Sequence, residues 1–179
     1  MIISLSIGSL LIAAFFGTIT NMQRQYRTQR DQRMAEDAIR TAEQVLRTVL
    51  QGAAADPLSA GLSSISPGTL TAGKGSEIQI KSDFNPADGD VGDALEDVSV
   101  RVVSDTLMVR WTGTGTWQSL VYPVRSISFE YFDQSLTPLT TTATAASAVA
   151  VRFTISAPDN PRSTVVRSRQ TWVYLQNRR

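Results

Sequence analysis

From Met1 to Ile19 the chain carries no charged side chain, and only serine, threonine and glycine interrupt a run of Ile, Leu, Ala and Phe. About 17 to 20 apolar residues suffice to cross a bilayer as a helix. The run therefore predicts a membrane-spanning helix over residues 1–20, carried by Ile2, Ile3, Leu5, Ile7, Leu10, Leu11, Ile12, Phe15 and Phe16. A secretory signal peptide would open with basic residues and close on an A-x-A-like site. "GTITNMQRQYR" offers no such site. The helical pattern then continues over residues 21–52: "NMQRQYRTQRDQRMAEDAIRTAEQVLRTVLQ" holds no Pro or Gly and is rich in good helix formers. In its second half Met34, Ala38, Ala42, Val45, Leu46, Val49 and Leu50 recur at spacings of three, four and seven, an apolar stripe that requires a partner surface. Ahead of the stripe Arg24, Arg27, Arg30 and Arg33 wind around the helix, either as a solvated face or as contacts for lipid headgroups or neighbouring subunits.

Beyond Gly52 the period changes. Residues 53–76 are small and turn-forming, with Pro57 and Pro67, and read as a long loop. Alternation with period two then predominates. It shows in "EIQIK", in Val98, Val100 and Val102, in Leu107, Val109 and Trp111, and in Ile127, Phe129 and Tyr131. It returns in Val149, Val151, Phe153 and Ile155, and in Thr171, Val173 and Leu175 against Trp172 and Tyr174. Ser104-Asp105 and "TGTG" read as tight connections. Short strands joined by short turns predict an antiparallel sheet with one wet face, the other covered by the helix stripe. The fold class is α+β: a long N-terminal helix on an antiparallel sheet, with residues 53–179 as a β-rich head domain.

Composition removes several function classes. There is no Cys and no His, so disulfides, thiolate chemistry, imidazole bases and the usual zinc ligands are excluded together. A net charge of +1 over 179 residues gives no nucleic-acid signature. Gly68 to Lys74 fits most of a phosphate-binding loop, but Gly75 stands where Ser or Thr is needed, no strand precedes it, and a strand rather than a helix follows. Lys74 and Lys81 lie in no Ser-x-x-Lys pattern. Catalysis is not indicated. In "DFNPADGDVGDALED" the residues Asp88, Asp90 and Asp93 are the candidate ligands for calcium, and no other cofactor is indicated. Their spacing departs from the helical-hand calcium loop, and a solvated acidic turn is the favoured reading.

A helix apolar at its start and amphipathic in its second half, lying on an antiparallel sheet, resembles a type IV pilin-like subunit. "MIISLSIGSLLIAAFF" is similar to the apolar helix that in this family follows a Phe-Thr-Leu-x-Glu opening. "VRSISFEYFDQSLTPL" and the ending "TWVYLQNRR" are similar to segments of J-type minor pseudopilins of type II secretion and W-type minor pilins. The resemblance implies a single-pass protein of the bacterial inner membrane with a periplasmic or extracellular head domain. Its partners would be other pilin-like subunits, met through the N-terminal helix, and inner-membrane lipid before assembly. The alternative is an anchored extracytoplasmic binding or sensor domain that does not polymerise. Gly17 stands where relatives often carry a proline, and local unwinding is expected there. The arginines after the span, with nothing basic before it, oppose an outward head domain under the positive-inside rule. A basic leader and a glutamate encoded upstream of Met1 are therefore expected.

Overall fold

The computed structural model describes residues 2–53, 64–83, 88–93, 95–160 and 163–175, with helix side chains described at Ile12 and from Ala14 onward. A single helix, α1 (Ile2–Gly52), runs for 51 residues. At a rise of about 1.5 Å per residue it is about 75 Å long. It passes through Gly17 without interruption, so the expected unwinding does not occur. A glycine costs about 1 kcal/mol of propensity, which the unbroken helix formers on both sides offset.

The rest of the described chain is two antiparallel sheets. The first holds β1 (Ser64–Pro67), β4 (Glu77–Lys81), β5 (Asp97–Val103), β6 (Thr106–Arg110) and β7 (Gln118–Val121), ordered β1-β4-β5-β6-β7. The second is ordered β11-β10-β8-β3-β2, with β2 (Leu70–Thr71), β3 (Lys74–Gly75), β8 (Ser126–Phe132), β10 (Ala150–Pro158) and β11 (Val166–Tyr174), while β9 (Pro138–Leu139) pairs with β8. A short helix, α2 (Thr142–Ala145), is capped by Thr141, whose hydroxyl accepts from the Thr144 N–H. The single sheet expected from alternation is thus two. Part of the span expected as loop, from Ser64 to Gly75, supplies β1 to one sheet and the β2-β3 hairpin to the other. These strands are too short for a period to register, and Pro67, which donates no backbone N–H, sits on an edge strand where none is needed.

The longer strands follow their alternation. Val98 and Val100 in β5 and Leu107 and Val109 in β6 are buried, and so are Ile127, Phe129 and Tyr131 in β8. Ser104 and Asp105 both adopt positive φ, 50° and 58°, the mirror-image turn that suits the twist of a two-residue hairpin between β5 and β6. The Asp105 carboxylate pairs with Arg125 at 2.9 Å, tying this turn to the start of β8.

α1 lies against β7, β10 and β11, and its buried stripe joins the inner faces of both sheets in one core. The stripe is Ala35, Ala38, Ile39, Ala42, Leu46 and Leu50. One expectation needs correction: Met34 is 46% exposed. Val45 and Val49 are half buried, and Val49 packs against the core. Successive residues turn by about 100° around a helix, which carries Met34 off the face centred on Ala35 and brings Ile39 onto it. Leu46 is fully buried, whereas Arg47 is exposed and bonded to Glu43 at 2.9 Å. Leu46→Asp should therefore cost about 3 to 5 kcal/mol by leaving an unpaired charge in the core. Arg47→Ala should cost under about 0.5 kcal/mol. Thermal melts of the two variants check this; a lower midpoint for the Arg47 variant would invert the helix phase.

Candidate functional site

The first half of α1 stands clear of the sheets. Among residues with described side chains the first buried position is Ala35; before it Phe15, Phe16, Met22 and Tyr26 are all exposed. Of the expected assembly residues, Ile12, Phe15 and Phe16 present their side chains outward. Those of Ile2, Ile3, Leu5, Ile7, Leu10 and Leu11 lie outside the described residues. Among the described residues no helix is long and apolar enough to cross a membrane. Thr18 and Thr20 donate their hydroxyls to the carbonyls of Ala14 and Phe16 at 2.9 and 2.8 Å, so their polar groups are satisfied within the helix itself. Arg24, Arg27, Arg30 and Arg33 are exposed and step around about half the circumference of the projecting segment, and no ion pair among the described residues engages them.

Charged seams fix this projection to the head. Glu43 of α1 accepts from Thr171 at 3.0 Å and pairs with Arg169 of β11 at 3.1 Å. Partial burial raises the Glu43 carboxyl, but the bonds from Arg47 and Thr171 and the charge of Arg169 outweigh it and hold the group below its ordinary value of 4.5. Two turns earlier, Glu36 meets Arg167 at 3.3 Å, and Arg167 also holds Asp159 at 2.6 Å. On the other side of α1 from this seam a cavity of about 390 Å³ opens between the helix and the five-stranded sheet, walled by Val45, Val49, Ile80, Leu95, Val98 and Trp111. Val45 and Val49 line this cavity, which accounts for their partial exposure.

On the outer face of the six-stranded sheet one register row crosses four strands: Lys74, Glu130, Arg152 and Trp172 stand opposite one another in turn. Lys74 Nζ lies 2.8 Å from Glu130, which also binds Arg152. The Arg152 guanidinium sits 5.0 Å from the Trp172 ring and 5.1 Å from that of Phe132, within cation–π range. Trp172 and Tyr174 are exposed here on the edge strand β11. The row escapes sequence reasoning because β3 has no alternation to set its register.

The acidic loop does assemble. Asp88, Asp90 and Asp93 each bring a carboxylate oxygen within 4.8 Å of the others, all exposed. Buried Asp83 accepts the N–H groups of Asp88 and Gly89, both at 3.1 Å, while Asp88 and Asp90 cap the N–H groups of Asp90 and Gly92. Loss of water, then the charges of Asp88, Glu96 and Asp90, push the Asp93 carboxyl above its ordinary value of 3.8. A cation would relieve that repulsion, yet the same aspartates serve the loop as turn caps.

The Glu130 cluster generates a pH dependence. Burial raises its carboxyl, but the hydrogen bonds and charges of Lys74 and Arg152 outweigh this and place it below 4.5. A depressed carboxyl stabilises the fold above its unfolded value and loses that contribution as pH falls through the folded value. Stability should therefore decline as pH drops below about 4.5, and Glu130→Gln should flatten the decline while costing about 1 to 2 kcal/mol at neutral pH. Denaturant unfolding of both proteins at neutral and acid pH tests this; identical slopes would remove Glu130 from the acid response. No family model matches the chain, and no curated protein matches it.

Proposed function

We propose that the chain is a minor pilin-like structural subunit that helps to initiate or cap a type II secretion pseudopilus or type IV pilus. One observation carries this reading: a continuous helix whose second half is sewn onto antiparallel sheets and whose first half stands free, apolar at Ile12, Phe15 and Phe16. Such a helix needs an apolar environment along its free half. Lipid of the bacterial inner membrane supplies it before assembly, and the helices of other pilin-like subunits supply it afterwards, so burial against protein replaces burial in lipid. The head domain faces the periplasm or exterior, and the exposed Trp172 and Tyr174 are its contact residues. Its role is mechanical rather than catalytic.

The cavity beside Val45 and Trp111 supports a second reading, an anchored extracytoplasmic binding or sensor domain, since pockets of about 300 to 1,000 Å³ with apolar walls suit small ligands. Cross-linking separates the two. The chain has no cysteine, so Leu10→Cys and Phe16→Cys each introduce a single reactive site. In cells that assemble the filament, both should form adducts with the helices of other pilin-like subunits. Contacts with lipid alone, with secretion and piliation intact after gene deletion, would favour the binding domain.

A further inference from the structure

The outer face of the five-stranded sheet carries two cations that join no ion pair among the described residues. Arg101 of β5 and Arg110 of β6 are diagonal neighbours, since Arg101 stands opposite Met108 and Arg110 opposite Ser99. Both point away from the core formed by Val100, Leu107 and Val109. Their guanidiniums converge on one indole, with the Arg101 Cζ 4.0 Å and the Arg110 Cζ 5.2 Å from the Trp117 ring centroid. Arg110 donates to the Ser99 hydroxyl at 3.0 Å, and the Nε of each arginine is buried with no acceptor.

Elsewhere on the head domain the partly buried cations are matched: Lys74 and Arg152 with Glu130, Arg125 with Asp105, Arg167 with Asp159 and Arg169 with Glu43. Among the described residues Arg101 and Arg110 join no ion pair. Glu77 faces Arg101 in register without pairing to it, and Asp97 is engaged by Gln79 at 2.7 Å and by Lys81 at 4.0 Å. Two like charges held over one ring repel, and the ring strips water from one side of each. An oxyanion placed between the guanidiniums would relieve both costs through forked hydrogen bonds.

We propose that Arg101, Arg110 and Trp117 form a docking point for a carboxylate on an acidic segment of a partner protein. A carboxylate fits better than a phosphate because Glu77 and Asp97 share this face and repel a dianion more than a monoanion. The pairing of arginine with tryptophan on an open sheet is the composition of a protein-interface anchor rather than of an enclosed anion pocket. The site uses only the head-domain surface and stands or falls independently of how α1 is used.

The test uses the full chain in detergent micelles, with an acetylated, amidated peptide carrying a single glutamate and inorganic phosphate as probes, read from the indole Nε1–H resonance of Trp117. The peptide should shift this resonance saturably at low salt. In the double variant Arg101→Gln/Arg110→Gln its affinity should fall at least about tenfold, the loss expected when bidentate charge-assisted bonds are removed. Should that variant not fold, Arg101→Lys/Arg110→Lys keeps the charges and removes the forks, and should weaken the peptide in the same direction. The proposal is overturned by the absence of a saturable shift, by unchanged binding in the variant that folds, or by phosphate binding more tightly than the peptide.

Discussion

Everything else in this structure depends on the close approach of α1 to the sheets along Ala35, Ala38, Ile39, Ala42, Leu46 and Leu50. The three alanines contribute little transfer free energy of their own, but their size lets the helix axis come near β10 and β11. Leu46 and Leu50, both fully buried in the same core, are each worth about 1.5 to 3 kcal/mol of burial. Polar contacts fix the direction in which the helix leaves. Glu36 and Glu43 bind arginines of β11 from the same side of α1, so the free half is aimed by the head domain.

That arrangement divides one helix into two physical regimes. Beyond Ala35 helical structure is held by tertiary packing, the usual source of helix stability in proteins. Before it, exposed Phe15, Phe16, Met22 and Tyr26 have no tertiary partner among the described residues, and the helix rests on propensity together with threonine hydroxyls that bond back to the preceding turn. An apolar helix presented free in this way is suited to exchange one apolar environment for another, which is the basis of the assembly reading.

Much of this was legible in the chain. Period-two patterns located β5, β6, β8, β10 and β11, because one buried face per strand leaves an unambiguous imprint, and Ser104-Asp105 marked its hairpin. The helix was legible from its lack of Pro and Gly between Gly17 and Gly52. Other features left no such trace. β2 and β3 have two residues each, too few for a period, so the division into two sheets was hidden. Met34 looked equivalent to Ala35 by hydrophobicity, and only the phase of the whole stripe separates them. Asp88, Asp90 and Asp93 were found as a cluster because they are close in sequence; Arg101, Arg110 and Trp117 were not, because hairpin register and a loop bring them together.

The central claim is that α1 is one helix held by packing at one end and free at the other. Amide hydrogen exchange of the full chain, followed by mass spectrometry without partner subunits, measures this directly. Amides from about Ala35 to Leu50 should be protected to the same degree as those of β10, with protection falling over Arg24 to Arg33. Uniform protection along the helix, or exchange at Ala42 to Leu50 as fast as at Arg27, would contradict it.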